Sequence, residues 1–249
     1  MTFSSDENSK RRHKPGKFES NKFEFRRSSY INYLKTVKTM GYSFEDLLHY
    51  FPCFVGEMTL SRVLALYEGY KIVNGVCGHI ADVGVYKGAS LLYFAKLTQI
   101  FEPTTLTQVH GFDWFQGNKP QGDIDKDILV GSSTEPYDRV NNLVKAQSLD
   151  HVAKLHQVDL TKDLENFFSV HSHLQFKLAF LDTGTYEVVK TALPYFWDRL
   201  TTGGIMVLDQ FNFEIAPGET KAVVDFFKDK SRPILTFPNG WMPNAYIVK

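Results

Sequence analysis

Short apolar runs alternate with segments of helical periodicity over most of the chain beyond residue 76. Most of these runs end at a glycine or an aspartate, as strands do at a turn. Strands are therefore predicted at residues 80–84, 108–113, 153–159, 177–182, 204–209, 234–237 and 245–248. Between the runs, apolar residues recur every three or four positions, which is typical of amphipathic helices. Helices are predicted at residues 89–101, 137–148, 161–170, 186–200 and 219–230.

The alternation of strands and helices predicts an α/β fold with a parallel sheet and helices on both faces. A short segment containing proline, glycine and tryptophan separates the last two strands, which predicts an antiparallel hairpin at the edge. The pattern thus indicates a Rossmann-like, seven-stranded sheet, and we expect this core to span residues 76–249.

The first third of the chain has a different pattern. Residues 1–28 are polar and basic, and we expect them to form a mobile arm. Amphipathic patterns follow at 30–40, 43–50 and 59–73, with Ser43 as the N-cap of the second. Residues 51–58 are apolar without helical periodicity, so we expect them to lie across the top of the core. Residues 29–75 are therefore predicted to form an N-terminal helical lid.

Composition and charge argue against several classes of function. The 249-residue chain is 43% hydrophobic and has 28 basic and 28 acidic residues. This balance gives no overall attraction to nucleic acid or to a membrane surface, and no apolar stretch is long enough for a membrane span. With no apolar leader at the N-terminus, we expect a cytoplasmic protein. Cys53 and Cys77 lie in apolar segments without metal-ligand spacing, which predicts buried free thiols.

The segment HIADVGVYKGAS, residues 79–90, carries the most informative motif. A strand ends near Asp82, and Gly84 and Gly88 follow before an uninterrupted apolar helix. Glycines at such a turn allow the backbone to approach a ligand closely. The spacing is neither G-x-G-x-x-G nor that of a P-loop, which argues against a dinucleotide or a nucleoside triphosphate. An acidic-x-Gly-x-x-x-Gly turn instead indicates S-adenosylmethionine.

Aspartates end four of the predicted strands. These residues are Asp113, Asp159, Asp182 and Asp209. Because the carboxyl ends of parallel strands form one edge, where open α/β sheets bind ligands, we expect these side chains to converge. A cluster of acids is costly unless it meets hydroxyls, an amine, a sulfonium or a metal. The alternative is that each aspartate only caps the following loop or helix.

The chain resembles the macrocin O-methyltransferase (TylF-type) family of class I methyltransferases over roughly residues 51–227. The segments that carry the resemblance are PCFVGEMTLSRVLALYEGYKI, GHIADVGVYKGAS, VHGFDWFQG, FLDTGTYEVVKTALPYFWDRLTTGGIMVLDQF and PGETKAVVDFF. The resemblance implies an S-adenosylmethionine-dependent O-methyltransferase that acts on a hydroxyl of a sugar or glycan precursor. The precursor would belong to a surface polysaccharide or a glycosylated natural product.

The resemblance also implies roles for individual residues in binding the cofactor. Asp113 would accept hydrogen bonds from the ribose hydroxyls, a bidentate fit that suits a carboxylate. Asp159 would lie near the adenine, and Trp114 would form pocket wall or core. The methionine part would contact the turn after the first strand. The residues implied there are Asp82, Gly84, Tyr86, Lys87, Gly88 and Ser90, with Asp182 also close to the cofactor.

The catalytic residues implied by the family are Asp182 and Asp209, which with Gln210 would hold a magnesium ion. Such an ion would bind the acceptor hydroxyl and lower its pKa. This chain departs from the family pattern twice, because Gly184 and Gln210 replace acidic residues. Two negative charges are therefore missing, which predicts a weak metal site and leaves a general base in question.

Three functions remain open from the sequence. The first is the sugar or glycan O-methyltransferase, with a small-molecule or glycan acceptor and no nucleic acid partner. The second is a catalytically degenerate relative that binds the cofactor or its product, S-adenosylhomocysteine, and serves as a partner or regulatory subunit. A third, an NAD-dependent oxidoreductase, is opposed by the glycine spacing. Whether the chain forms a homo-oligomer also stays open.

Overall fold

The computed structural model describes the backbone of residues 18–249 and the side chains from residue 28 onward. The part of the predicted arm before residue 18 lies outside the described residues, and from Phe18 the backbone is helical. The N-terminal helices are α1 (Phe18–Val37), α2 (Phe44–His49), α3 (Phe51–Phe54) and α4 (Glu57–Ile72). Ser43 caps α2 as predicted, because its Oγ accepts the backbone N–H of Asp46 at 3.0 Å.

Residues 51–58, predicted to lack helical structure, form α3 and the start of α4. Pro52 stands in the first turn of α3, where its missing N–H costs nothing. The prediction that Cys53 and Cys77 are buried was wrong, since both thiols are exposed. Cys53 lies on the short α3, and Cys77 lies in the loop that precedes the first strand.

Strands and helices alternate through the rest of the chain, as the pattern predicted. The elements are β1 (His79–Val83), α5 (Ala89–Phe101), β2 (Val109–Asp113), α6 (Tyr137–Ala146), β3 (Ala153–Gln157), α7 (Leu164–Val170), β4 (Phe176–Leu181), α8 (Tyr186–Asp198), β5 (Leu200–Leu208), α9 (Pro217–Phe227) and β6 (Ala245–Val248). A single 3₁₀ turn at Asp123–Asp125 interrupts the long connection between β2 and α6.

The strands form one sheet in the order β3-β2-β1-β4-β5-β6. β6 pairs antiparallel with β5, and the other neighbours pair in parallel. The predicted seventh strand does not form within residues 18–249, because residues 234–237 make only one bridge, between Leu235 and Tyr246. Pro233 and Pro238 flank this bridge and supply no backbone N–H to extend it.

Helices cover both faces of the sheet, as predicted for a parallel α/β fold. Ala81 and Val83 of β1 face a core shared with α7, α8 and α9. Ile80, one position away, faces the second core, which α4, α5 and α6 complete. The alternation follows from the two-residue period of a strand. Among the described helices, none has the length and apolar character needed to cross a membrane.

The strand order places a ligand cleft at a definite point. β1 is followed outward on one side by β2 and β3, and on the other side by β4 and β5. The connections leaving the carboxyl ends of β1 and β4 therefore run in opposite directions. A crevice opens at such a switch point in open α/β sheets.

Candidate active site

A cavity of about 1020 Å³ lies above the carboxyl ends of the strands. Its floor and walls come from the segments after β1, β2, β3, β4 and β5, and its cover comes from α1 and the stretch 53–59. The predicted site residues that line it are Gly84, Tyr86, Asp113, Trp114, Asp159, Asp182 and Gln210. The volume lies at the upper end of the usual range for small-molecule and cofactor sites.

Gly84 is required by the contact between two strands. Its φ of +98° is in the region that favours glycine, and an added Cβ would overlap the backbone oxygen of Asp182. The same closeness shows in the hydrogen bond from Asp182 N to Val83 O, at 2.8 Å. Gly84 thus allows the ends of β1 and β4 to meet at the cavity floor.

Gly88 serves the packing of helices instead. It has φ +83° at the start of α5, and an added Cβ would lie 3.0 Å from Cγ1 of Val140 on α6. The open side of Gly88 therefore faces α6, and its contact with a ligand stays a prediction. Lys87, beside it, is exposed, and its Nζ lies 5.2 Å from the centre of the Tyr86 ring.

Asp82 lies beneath the turn and has no exposed surface. One of its oxygens accepts the hydroxyl of Ser90 at 2.9 Å, and the other has no hydrogen-bond partner among the described residues. Burial raises the pKa of Asp82 to about 8, and the Ser90 hydrogen bond opposes that rise. Asp82 and Ser90 therefore lie below the turn and support it, beneath the surface that lines the cavity.

Asp113 stands at the end of β2 and lines the cavity. Oδ2 accepts the backbone N–H of Tyr86 at 2.9 Å, and Oδ1 accepts that of Phe115 at 2.7 Å. Burial raises the pKa of this carboxyl, and the backbone hydrogen bonds oppose that effect. The backbone N–H groups of Val85 and Trp114 also favour the charged form of this carboxyl. Its role toward the ribose of S-adenosylmethionine stays a prediction.

Trp114 and Asp159 form neighbouring parts of the wall. Trp114 is held by a hydrogen bond from Nε1 to the backbone oxygen of Gly117, at 2.8 Å. Asp159 closes a turn by accepting the N–H and the hydroxyl of Thr161, at 2.9 and 2.6 Å. Burial tends to raise the pKa of Asp159, but the Thr161 hydrogen bonds and nearby Lys162 bring it below its usual value. Its role toward an adenine stays a prediction.

Asp182 and Asp209 come together at the carboxyl ends of β4 and β5, as their positions predicted. A side chain that the sequence interpretation did not single out, Arg62 of α4, bridges them. Its Nη2 bonds Oδ2 of Asp182 at 2.6 Å, and its Nη1 forms a short hydrogen bond with Oδ1 of Asp209. The side chain of Asp209 is 3% exposed, whereas those of Arg62 and Asp182 are each 26% exposed.

Electrostatics hold this group together. Burial would lower the pKa of Arg62, but the carboxylates of Asp209 and Asp182 raise it above its ordinary high value. Burial and the neighbouring Asp182 raise the pKa of Asp209 well above its usual range, and Arg62 opposes them. Two carboxylates this close require a cation or a proton between them. The guanidinium supplies that cation.

The predicted magnesium site does not fit this arrangement. One oxygen of each carboxylate expected to bind the metal already binds Arg62. Gln210, the expected third ligand, has its Oε1 only 2.5 Å from the place where a Cβ on Gly184 would stand. Among residues 28–249, no cluster of three histidine, cysteine, aspartate or glutamate side chains has metal-binding geometry. The described residues therefore do not support the magnesium prediction.

Glu219 fixes the backbone beside this group. Its Oε1 accepts the N–H of Gln210 at 2.7 Å, and the side chain has no exposed surface. Burial and the nearby Asp209 raise its pKa well above the usual range. Sequence reasoning missed both this residue and Arg62. The available signal was helical spacing, since Arg62 precedes the buried Ala65 and Leu66 by three and four positions.

Comparisons with known proteins concern the family and the fold. Residues 81–211 match a family model described as a methyltransferase domain. No curated protein sequence matches the chain. Two solved structures of CalS11 are similar. The first is titled calicheamicin methyltransferase and has 22% identity over 89% of this chain and 91% of that one, with a TM-score of 0.78. The second is an apo structure titled TDP-rhamnose 3'-O-methyltransferase, with 22% identity, coverage of 89% and 93%, and a TM-score of 0.71.

A third similar structure is the O-methyltransferase NovP. Its identity is 15%, it covers 76% of this chain and 79% of that one, and the TM-score is 0.66. At these identities the likeness concerns the fold. The structures therefore support a class I methyltransferase fold, with six strands in the described sheet.

Proposed function

We propose that this chain, which belongs to the methyltransferase-domain family, transfers a methyl group from S-adenosylmethionine to a hydroxyl of a sugar or glycan precursor. The observation that carries the proposal is the position of Asp182. It lies in the wall of one cavity with Gly84 and Asp113, and Arg62 holds one of its oxygens. A carboxylate beside the cofactor-binding turn is placed to accept a proton from an acceptor.

The chain's own residues would divide the work. Asp113 binds the two ribose hydroxyls, and Gly84 brings the β1 turn against the end of β4. S-Adenosylmethionine supplies an electrophilic methyl group on a sulfonium. Asp182 orients the acceptor hydroxyl and takes its proton as the new O–C bond forms and the S–C bond breaks. Alignment of the two reacting atoms is the main contribution that the cavity makes.

A sugar acceptor is supported by aromatic residues that line the cavity. Tyr30 and Tyr33 of α1, together with Phe213 and Trp241, contribute aromatic surface there. Aromatic rings pack against the apolar faces of sugars while carboxylates and amides bind hydroxyls. One similar structure is titled TDP-rhamnose 3'-O-methyltransferase, which agrees with a sugar hydroxyl as the target.

The test combines binding and turnover. We expect S-adenosylhomocysteine to bind with 1:1 stoichiometry in titration calorimetry, and methyl transfer to appear with a panel of free, nucleotide-linked and lipid-linked sugars. Asp182→Asn should reduce kcat by about a hundredfold or more and leave cofactor affinity nearly unchanged. Full activity in Asp182→Asn would contradict the assigned base, and failure to bind the cofactor would contradict the class of enzyme.

The degenerate relative remains a second candidate because of one observation. Gly184 has no side chain, and the amide of Gln210 lies against it, so two acids of the related pattern are absent. Such a protein would bind S-adenosylhomocysteine with normal affinity and transfer no methyl group to any acceptor. Stable capture of a catalytic partner by the cofactor-bound chain, with no turnover of its own, would favour this candidate.

A further inference from the structure

Arg62 bridges the two carboxylates that the family resemblance assigns to a divalent cation. The residue belongs to α4, in the N-terminal part of the chain, and reaches the carboxyl edge formed by β4 and β5. Its two terminal nitrogens bind one oxygen each from Asp182 and Asp209. The guanidinium carbon also lies 5.3 Å from the centre of the Phe180 ring. The cation is therefore supplied by the chain.

The geometry suits a guanidinium better than a metal. A planar fork presents fixed N–H donors to two carboxylates at once, and arginine keeps its charge at any ordinary pH. Magnesium requires near-octahedral oxygen ligands at about 2.1 Å and would stand beside a fixed positive charge. The two cations thus compete for the same two carboxylates.

The residues beside the Arg62 bridge also differ from the acidic pattern of the family. Glu219 holds the backbone N–H of Gln210, and the Gln210 amide oxygen fills space over Gly184. An acidic residue at 184 would bring a Cβ into contact with that amide oxygen. The two departures from the acidic pattern therefore form one packed unit beside the Arg62 bridge.

We propose that Arg62 replaces the divalent cation, and that it acts as a positioning residue that orients Asp182 toward the acceptor hydroxyl. The replacement of the cation concerns only the carboxylate pair and does not depend on any assumed reaction. The positioning role rests on the proposed function. In this chain, methyl transfer would then proceed without a metal, and the N-terminal helix α4 would be part of the catalytic unit.

The first experiment measures Mn²⁺ binding, by electron paramagnetic resonance and calorimetry, in the whole chain. The wild-type protein is expected to bind no stoichiometric Mn²⁺ at this edge. Arg62→Ala frees both carboxylates and removes the positive charge, so Mn²⁺ should bind about tenfold or more tightly than in wild type. Arg62→Ala/Asp209→Asn should lose this gain. Lys71→Ala, which removes an exposed basic residue from the same helix, is the matched control.

Two results would overturn the replacement. One is stoichiometric Mn²⁺ binding by the wild-type chain that Asp209→Asn abolishes. The other is Mn²⁺ affinity in folded Arg62→Ala no higher than in wild type. If Arg62→Ala does not fold, the wild-type and Asp209→Asn titrations still decide the question, because neither depends on that variant.

The second experiment tests positioning once an acceptor is known. Activity should be unchanged in excess chelator. Arg62→Lys should lower kcat by about tenfold or more, with little change in the affinity for S-adenosylhomocysteine, because lysine keeps the charge but loses the fork. A chelator-sensitive wild type, or a kcat unchanged in Arg62→Lys, would contradict the proposal. If no methyl transfer is found but the Mn²⁺ titrations give the expected results, only the proposed function is contradicted.

Discussion

The buried carboxyl of Asp82 should make the stability of this protein fall as the pH rises. The side chain has no exposed surface, has Ser90 as its hydrogen-bond partner, and has a pKa raised to about 8 by burial. In the unfolded chain the pKa of an aspartate is about 3.9. Between these values the folded protein holds one proton that the unfolded chain has lost.

The magnitude follows from linkage. When the unfolded state binds one proton fewer, the free energy of unfolding falls by about 1.4 kcal/mol for each pH unit. From pH 5.5 to 7.5 the contribution of Asp82 therefore amounts to roughly 2–3 kcal/mol. The stabilising contribution is fully present below the unfolded pKa and is lost as the pH rises through the folded pKa. Asp82→Asn removes this titration and nearly preserves the shape of the side chain.

The assay is urea unfolding at several pH values in this window, without cofactor, for wild type, Asp82→Asn and Asp138→Asn. The last variant removes an exposed carboxyl from the first turn of α6 and is the control. The difference between Asp82→Asn and wild type should shift by roughly 2–3 kcal/mol in favour of the variant as the pH rises. Parallel stability curves for these two proteins would refute the reasoning.

Three further predictions follow from other sites. Asp113→Ala should weaken S-adenosylhomocysteine binding by about 1–3 kcal/mol in calorimetry, because two hydroxyls lose their acceptor, and an unchanged affinity in the folded variant would contradict the ribose role. Burial lowers the pKa of His110 to about 3 and that of His156 to about 4, and their ring nitrogens lie 3.0 Å apart. The free energy of unfolding should therefore decrease as the pH falls from about 6.5 toward these values. In urea titrations the double variant His110→Phe/His156→Phe should show a smaller decrease than wild type. The control His49→Gln, at an exposed histidine, should show the same decrease as wild type. Residues 51–58 border the cavity and should gain protection from hydrogen exchange when cofactor binds. Equal exchange with and without cofactor would show that the segment only packs against the core.

Several features of the fold were predictable from local pattern. The alternation of strands with helices predicted parallel pairing and helices on both faces of the sheet. The aspartates at strand ends predicted which side chains would meet at one edge, because parallel strands present their carboxyl ends together. Ser43 predicted the start of α2 through its own hydrogen bond to residue 46.

The outcome at the carboxylate pair depended on a contact that no local pattern encodes. Arg62 is separated from Asp182 by 120 positions and from Asp209 by 147, so only the packing of α4 against the sheet brings them together. The sequence predicted that two acids would share an edge, where their charges need a partner. The tertiary structure decided which partner, because a charged side chain on a buried helix face finds its partners only in the folded chain. The direction of Gly88 toward α6 and the single bridge at Leu235 were decided in the same way, by which neighbours the fold supplied.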